Sequence, residues 1–110
     1  MYNYKAEVYN VVDGDTVDVM VDLGFKIYTK QRIRLAGIDT PERGQPGYTE
    51  AAERLKQLLL GQTVWLKTTK ASKWGYFLGE IFPLGDTVTS VNQIMLSEGL
   101  AKPYDGGTKS

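Results

Sequence analysis

The chain contains no cysteine and no histidine among its 110 residues. Disulfides, thiol nucleophiles and iron–sulfur clusters are therefore excluded, and so are imidazole bases and histidine-ligated zinc. No apolar run approaches the roughly 18 residues that a membrane span needs, and the first residues lack a signal-peptide pattern. We expect no membrane association, and a cytoplasmic location in preference to secretion after removal of a leader. Hydrolytic chemistry would have to use carboxylates, hydroxyls, Arg, Lys, Tyr or a hard metal bound through oxygen.

The composition is that of one small globular domain, with 42% hydrophobic and 24% charged residues. Twelve glycines against four prolines indicate many tight turns and a β-rich fold. We predict a single domain over residues 1–104, a flexible tail over 105–110, and a monomer.

The net charge is zero but unevenly distributed. Residues 1–24 carry one lysine and five acids, a net −4, whereas residues 25–46 carry five bases and two acids, a net +3. A balanced total argues against coating nucleic acid by bulk charge, and it leaves open a local acidic cluster that faces a basic one.

Alternating apolar and polar residues predict strands, and a 3.6-residue period predicts helices. The predicted strands cover residues 4–12, 16–23, 25–35, 63–69 and 74–82, and the predicted helices cover 48–60 and 90–98. The side chains expected to face inward on the second and third strands are Val17, Val19, Val21, Leu23, Phe25, Ile27, Ile33 and Leu35. Those expected to face outward on the third strand are Lys26, Lys30, Arg32 and Arg34.

This order predicts a mainly β fold with α elements, a five-stranded Greek-key barrel of the OB type with two short helices. An SH3-like barrel is the alternative, but a helix between the third and fourth strands favours the OB arrangement. Thr49 is the expected cap of the first helix, and Ser90 with Gln93 has capping-box spacing in the second.

Two acidic segments carry the chemistry. Asp13-Gly14-Asp15-Thr16 enters the second strand, and Asp39-Thr40-Pro41-Glu42 follows the third. In an antiparallel meander these two points lie at the same end of the sheet. Each segment alone has the composition of an ordinary turn, so the functional interpretation depends on their convergence.

Converging carboxylates of this kind suit a hard cation. Asp15 and Asp39, with a backbone carbonyl and waters, could hold Ca²⁺, which takes about 6–8 oxygen ligands. Glu42 could orient or deprotonate a water near the metal. Arg34 offers a guanidinium, which pairs bidentately with phosphate. Together these groups describe phosphodiester hydrolysis.

The two segments and their spacing resemble the staphylococcal nuclease family, over roughly residues 7–104. The resemblance implies an OB-fold, Ca²⁺-dependent nuclease that acts on DNA and RNA. It implies that Asp15, Asp39 and the Thr40 carbonyl bind the metal, and that Asp13 lies close to the metal without binding it. It also implies that Glu42 acts on the attacking water and Arg34 on the phosphate.

One position departs from the family pattern. The run Lys73-Trp74-Gly75-Tyr76 has tyrosine where the family carries a second phosphate-binding arginine, which predicts attenuated cleavage. We hypothesise that Arg32 or Lys73 partly supplies the missing charge. By family position, Trp74, Tyr76 and Tyr104 are expected on the substrate side. Trp65 is expected in the core.

Two functions therefore remain open. The first is a metal-dependent endonuclease with nucleic acid as its partner. The second is a nuclease-like module that binds nucleic acid or a nucleotide and scarcely cleaves it. A protein-interaction domain is a third possibility, but the retained acids and Arg34 argue against it, because crowded charges are costly to a fold unless they are used.

Overall fold

A computed structural model describes residues 2–71, 75–86 and 88–104. Within these ranges the chain forms seven strands and two helices. They are β1 (Tyr2–Asp13), β2 (Thr16–Asp22), β3 (Tyr28–Leu35), β4 (Ile38–Asp39), α1 (Tyr48–Leu59), β5 (Thr63–Ala71), β6 (Phe77–Pro83), α2 (Val91–Ser97) and β7 (Lys102–Pro103). The tail over 105–110 lies outside the described residues.

Five of the strands close into a barrel in the order β1-β2-β3-β6-β5. β3 and β6 pair in parallel, and the other neighbours are antiparallel. The short strands β4 and β7 form a separate pair beside the barrel. With α1 between β3 and β5, this architecture confirms the predicted OB-type barrel with two helices.

The β2–β3 hairpin confirms most of the predicted inward face. Val17, Val19 and Val21 are buried on β2, and Ile33 and Leu35 are buried on β3. They contact apolar residues of β1, β5, β6 and both helices in a single core. Since burial of one such side chain is worth about 1.5–3 kcal/mol, this alternation fixes which face of the hairpin turns outward.

The turn of this hairpin is where the prediction fails. Leu23, Phe25 and Ile27 were expected inward but are 46%, 97% and 56% exposed. Ile27 donates its N–H to the Gly24 carbonyl at 2.9 Å, and φ is positive at both Phe25 and Lys26. This is the geometry of a type I′ turn, which ends the alternation because its central side chains point away from the sheet.

Both helices lie close to their predicted positions, but the first is capped differently. Gly47, with φ of 90°, is the N-cap of α1, and no side chain caps this end, so the expected role of Thr49 is wrong. In α2 the Ser90 hydroxyl accepts from the Gln93 N–H at 3.1 Å, as the spacing predicts.

Asn92 ties α2 to the barrel. Its amide donates to the carbonyls of Ala36 and Gly79 at 2.8 and 3.1 Å, and its oxygen accepts from the Ile81 N–H at 3.2 Å. The side chain is 3% exposed. One buried amide therefore satisfies three backbone groups and fixes the chain just after β3, where the second acidic segment begins.

The last two barrel strands bring two further corrections. Trp65 lies between the buried Val64 and Leu66 on β5, so it takes the outer face and is half-buried instead of belonging to the core. β6 begins at Phe77, three residues after the predicted start. The predicted start itself, Trp74, lies outside the described residues, as does Lys73.

Candidate functional site

The two acidic segments meet at one end of the β2–β3 hairpin. Thr16 pairs with Arg34 across the two strands, and the Leu35 N–H donates to the Asp15 carbonyl at 2.8 Å. The first segment thus sits beside the residues that lead into the second. β4 then pairs with β7, which holds Asp39 opposite Lys102. The predicted convergence is present, and backbone hydrogen bonds maintain it.

Arg34 joins the two central carboxylates. Its Nη2 lies 3.5 Å from Asp15 Oδ2 and 3.3 Å from Asp39 Oδ1. Its Nη1 donates to the carbonyls of Leu35 and Ile38 at 3.2 and 3.0 Å. Asp15 and Asp39 are 8% and 4% exposed. Two nearly buried carboxylates therefore face one nitrogen atom, which is the electrostatic position of a cation.

Thr40 lies against the same carboxylates. Its backbone N–H donates to Asp15 Oδ2 at 3.1 Å, while Thr16 Oγ1 donates to Asp15 Oδ1 at 3.0 Å. Among the described residues, the Thr40 hydroxyl is buried and has no hydrogen-bond partner. Since a buried unpaired hydroxyl costs about 1–3 kcal/mol, this hydroxyl is a polar atom of the second acidic segment that a water or a ligand would satisfy.

Gly14 allows the first segment to approach this point. A Cβ at Gly14 would lie 2.7 Å from the Cβ of Ala51 on α1 and 3.0 Å from Thr40 Oγ1. No side chain fits there without a shift of the turn. The sequence Asp-Gly-Asp therefore owes its glycine to close packing against α1, and that packing sets the position of Asp15.

The site opens into a cleft of about 420 Å³. Its charged lining residues are four acids and two arginines, an excess of two negative charges: Asp13, Asp15, Asp39, Glu42, Arg34 and Arg43. Glu42 is exposed at this rim, where its N–H donates to Gln45 Oε1 at 3.0 Å. A phosphodiester entering the cleft would be repelled unless a cation offset the excess charge.

Asp13 lines the same cleft through a contact that sequence reasoning missed. Tyr48, the first residue of α1, donates its hydroxyl to Asp13 Oδ1 at 2.9 Å. Arg43 donates to the same hydroxyl at 3.4 Å, and its guanidinium carbon lies 5.7 Å from the centre of the Tyr48 ring. Asp13 is thus held by the helix start, apart from the Asp15–Arg34–Asp39 contacts.

Two of the three aromatic residues expected near the substrate contact arginines of β3. The Tyr104 ring centre lies 5.6 Å from the guanidinium carbon of Arg34, and the Tyr76 ring centre lies 5.7 Å from that of Arg32. The third, Trp74, falls outside the described residues. These are cation–π distances, so both rings lie against β3 on the side of its arginines.

Arg32 forms a second ionic group with Asp18, which lies opposite it on β2. Its Nε and Nη2 donate to the carboxylate of Asp18 at 2.7 and 3.2 Å, and Asn10 donates to Asp18 at 3.0 Å. The Arg32 hydrogen bond holds the pKa of Asp18 below its usual value. In turn, hydrogen bonds to Asp18 and Tyr76 raise the pKa of Arg32. The positive charge of Arg32 is therefore largely offset by the carboxylate of Asp18.

The donor set fits a hard cation only in part. Asp15 and Asp39 supply carboxylate oxygens beside one Arg34 nitrogen, and Thr40 adjoins them through its N–H, which donates to Asp15. Within the described ranges, however, no group of three or more acidic, histidine or cysteine side chains surrounds a metal position. Any cation here would need carbonyl and water ligands for most of its shell, which suits Ca²⁺ better than zinc.

A closed five-stranded barrel with two acids and an arginine at one rim defines an OB-fold protein with a polar cleft. The sequence comparisons then give the family: residues 32–109 match the profile of the staphylococcal nuclease homologues. This covers more than half of the chain, so the chain belongs to the staphylococcal nuclease homologue family.

Individual relatives agree with this assignment. The chain is 36% identical to a micrococcal nuclease of Shigella flexneri, over 93% of this chain and 59% of that protein. It is 34% identical to an uncharacterized endonuclease of Escherichia coli O157:H7, over 91% and 61%. It is 35% identical to the staphylococcal-like nuclease CAN1 of Arabidopsis thaliana, over 68% and 22%.

The chain spans about three fifths of the length of the first two relatives. The profile match begins at residue 32 and therefore leaves out the Asp13–Thr16 turn. The match to the Shigella flexneri protein extends over 93% of this chain, so it spans the segment that holds this turn. Neither helix in the described ranges is long and apolar enough to cross a membrane.

Proposed function

We propose that this protein is a divalent-cation-dependent nuclease that hydrolyses phosphodiester bonds of DNA or RNA, with Ca²⁺ as the expected cation. The observation that carries the proposal is the convergence of Asp15 and Asp39 on one guanidinium nitrogen of Arg34, in a cleft with excess negative charge. The family membership and the nuclease relatives support the same function.

In this proposal Asp15, Asp39 and the Thr40 carbonyl hold the cation. When bound, the cation offsets charge on the phosphoryl group and makes a nearby water more acidic. With a cation in place to offset the charge of Asp15 and Asp39, the Arg34 guanidinium would be available to pair with phosphate oxygens. Glu42, exposed at the rim, takes the proton of the attacking water as the water oxygen bonds to phosphorus. One P–O ester bond breaks, and the leaving oxygen takes a proton from solvent. Asp13, held by Tyr48, adds negative charge close to the cation without binding it.

A second candidate is a binding module that cleaves slowly, and the surroundings of Arg32 favour it. Tyr76 stands at the position expected for a second arginine, and Arg32 is already paired with Asp18. Arginines that stabilise a transferring phosphoryl group contribute about 10³–10⁵ in rate in other enzymes. Arg32 would have to break an ion pair to replace one, so we infer that it compensates only partly. The role hypothesised for Lys73 stays untested.

The test is cleavage of single-stranded DNA by the wild type with Ca²⁺ or with chelator, alongside Glu42→Gln. We expect Ca²⁺-dependent products that fall at least about tenfold in the variant, because its amide cannot take the proton. Glu53→Gln, a matched change on the exposed face of α1, should leave the rate unchanged. Binding of the DNA with no Ca²⁺-dependent products would establish the binding module instead.

Tyr76→Arg tests the attenuation separately. The new guanidinium would stand at the start of β6, next to Arg32, and could donate two hydrogen bonds to a phosphate. We expect turnover to rise by at least tenfold with little change in thermal stability. An unchanged or lower rate in a stably folded variant would contradict the argument.

A further inference from the structure

Three cations share the outer face of β3. Side chains alternate along a strand, so Lys30, Arg32 and Arg34 point to the same side, at a spacing of about 6.6 Å. Burial agrees, because Ile33 and Leu35 point into the core while Lys30 and Arg32 are exposed. Arg34 is the member that reaches the acidic cleft. The row therefore begins at the candidate site and runs along β3 away from it.

Each of these cations lies over a tyrosine ring. The distances to the ring centres are 5.8 Å for Lys30 and Tyr9, 5.7 Å for Arg32 and Tyr76, and 5.6 Å for Arg34 and Tyr104. Three contacts at cation–π distance therefore follow one another along a single strand. We call these six residues the β3 track.

A bulge in β1 builds the far end of the track. The β1–β2 register shifts between Val8 and Asn10, and Tyr9 and Asn10 are both exposed, which breaks the alternation of β1. Tyr9 thereby contacts Lys30, while Asn10 donates to Asp18, which holds Arg32. One irregularity thus orients two successive cations, the kind of re-aiming for which bulges are retained.

The track remains accessible to a partner. Tyr9 is 44% exposed and the Arg32 side chain is 41% exposed. If the Tyr9 ring served only to cover apolar surface of the sheet, it would be buried. Rings that alternate with cations present flat faces and positive charge together, which suits unpaired bases and phosphates in one ligand.

We propose that the β3 track binds the single-stranded nucleic acid beyond the phosphate at Arg34, with a backbone phosphate at Lys30 and bases against Tyr76 and Tyr9, while Arg32 stays paired with Asp18. The occupant follows from the exposed Lys30, from the exposed ring of Tyr9 with the half-buried ring of Tyr76, and from continuity with the cleft. The inference rests on the proposed function for its starting point at Arg34. It adds an extended substrate site, so long strands bind more tightly than those that fill the cleft alone.

The test measures binding of labelled oligothymidylates of about three and about twelve nucleotides to Glu42→Gln protein, by fluorescence anisotropy over a range of salt. We expect Lys30→Gln to weaken the long ligand by about three- to tenfold and the short one much less. The salt slope for the long ligand should fall by about 0.7, the value for one phosphate contact on a single strand. Tyr9→Leu should weaken the long ligand without changing the slope.

Lys56→Gln on α1 is the matched control, since it removes one exposed lysine outside β3. If Lys30→Gln lowers both ligands equally, or no more than Lys56→Gln does, the track is overturned. Binding of the track to anionic vesicles in place of oligonucleotides would overturn it as well. If the long ligand binds more tightly than the short one but the wild type shows no Ca²⁺-dependent cleavage, the proposed nuclease function is wrong and the β3 track stands. If the wild type cleaves but ligand length does not affect binding, the nuclease function stands and the β3 track is wrong.

Discussion

Replacing Arg34 by methionine removes the cation shared by two nearly buried carboxylates. The guanidinium makes ionic contacts at 3.5 and 3.3 Å to Asp15 and Asp39, and it donates to two carbonyls at 3.2 and 3.0 Å. Breaking a buried ion pair costs about 3–5 kcal/mol. Because the Arg34 side chain is 22% exposed, solvent screens part of this. We expect Arg34→Met to lose about 2–3 kcal/mol of unfolding free energy at neutral pH.

Ca²⁺ should return part of that loss if the carboxylates form a cation site. A cation at 100 times its dissociation constant adds about 2.7 kcal/mol to the folded state. The gain should be larger in Arg34→Met than in wild type, where the cation must displace the guanidinium. Urea denaturation with and without Ca²⁺ measures both quantities. The control is Arg54→Met, which removes an exposed ion pair with Glu98. Equal Ca²⁺ gains in both variants, or no destabilisation by Arg34→Met, would refute the reasoning.

Three further changes test other parts of the molecule. Asn92→Ala should cost about 2–4 kcal/mol in chemical denaturation, because it removes the side-chain partner of the Ile81 N–H and the Ala36 carbonyl, while the Gly79 carbonyl still accepts from the Ala36 N–H. Asn92→Asp should retain only the accepting contact, and a loss below about 1 kcal/mol in Asn92→Ala would contradict the tie between α2 and the barrel. The double change Phe25→Asn with Lys26→Gly should raise the melting temperature by several degrees, because the positive φ at each of these residues destabilises the wild-type turn by about 1 kcal/mol. An unchanged melting temperature would contradict a strained turn. Asp18→Asn should lose about 1 kcal/mol at neutral pH, because the carboxylate has a lowered pKa beside Arg32. That contribution is complete above the ordinary pKa near 3.8 and is lost as pH falls through the lowered value, so a deficit that stays constant from neutral pH to the most acidic pH at which the protein is folded would contradict the assignment.

The position of the site followed from the sequence because a hairpin register needs little information. The predicted strands place the turn at Gly24, which would pair residue 16 with residue 32. In the structure the hairpin is centred on residue 25, so residue 16 pairs with 34 and residue 18 with 32. The convergence of the two acidic segments tolerates this shift, because both segments stay at the same end of the hairpin. The Asp18–Arg32 pair does not, since it exists only in the observed register.

The failures have two different physical causes. Phe25 and Ile27 fit the inward pattern, but alternation does not say where a strand stops, and the turn places both side chains outward. Trp65 is large and apolar, yet the alternation of Val64 and Leu66 leaves it only the outer face. In the first case the turn overrides the alternation, and in the second the alternation overrides residue type.

The contacts that complete the site come from residues far away in the chain, and no local pattern announces them. Tyr48, at the start of α1, donates its hydroxyl to Asp13. The ring of Tyr104 lies against Arg34, and the backbone of Tyr104 is held by a hydrogen bond from its N–H to the Gly37 carbonyl at 2.9 Å. Each is fixed by packing of a whole element: α1 against Gly14, and β7 against β4. The sequence could therefore predict which groups meet at the barrel rim. How tightly they are held depends on elements that only the closed fold brings together.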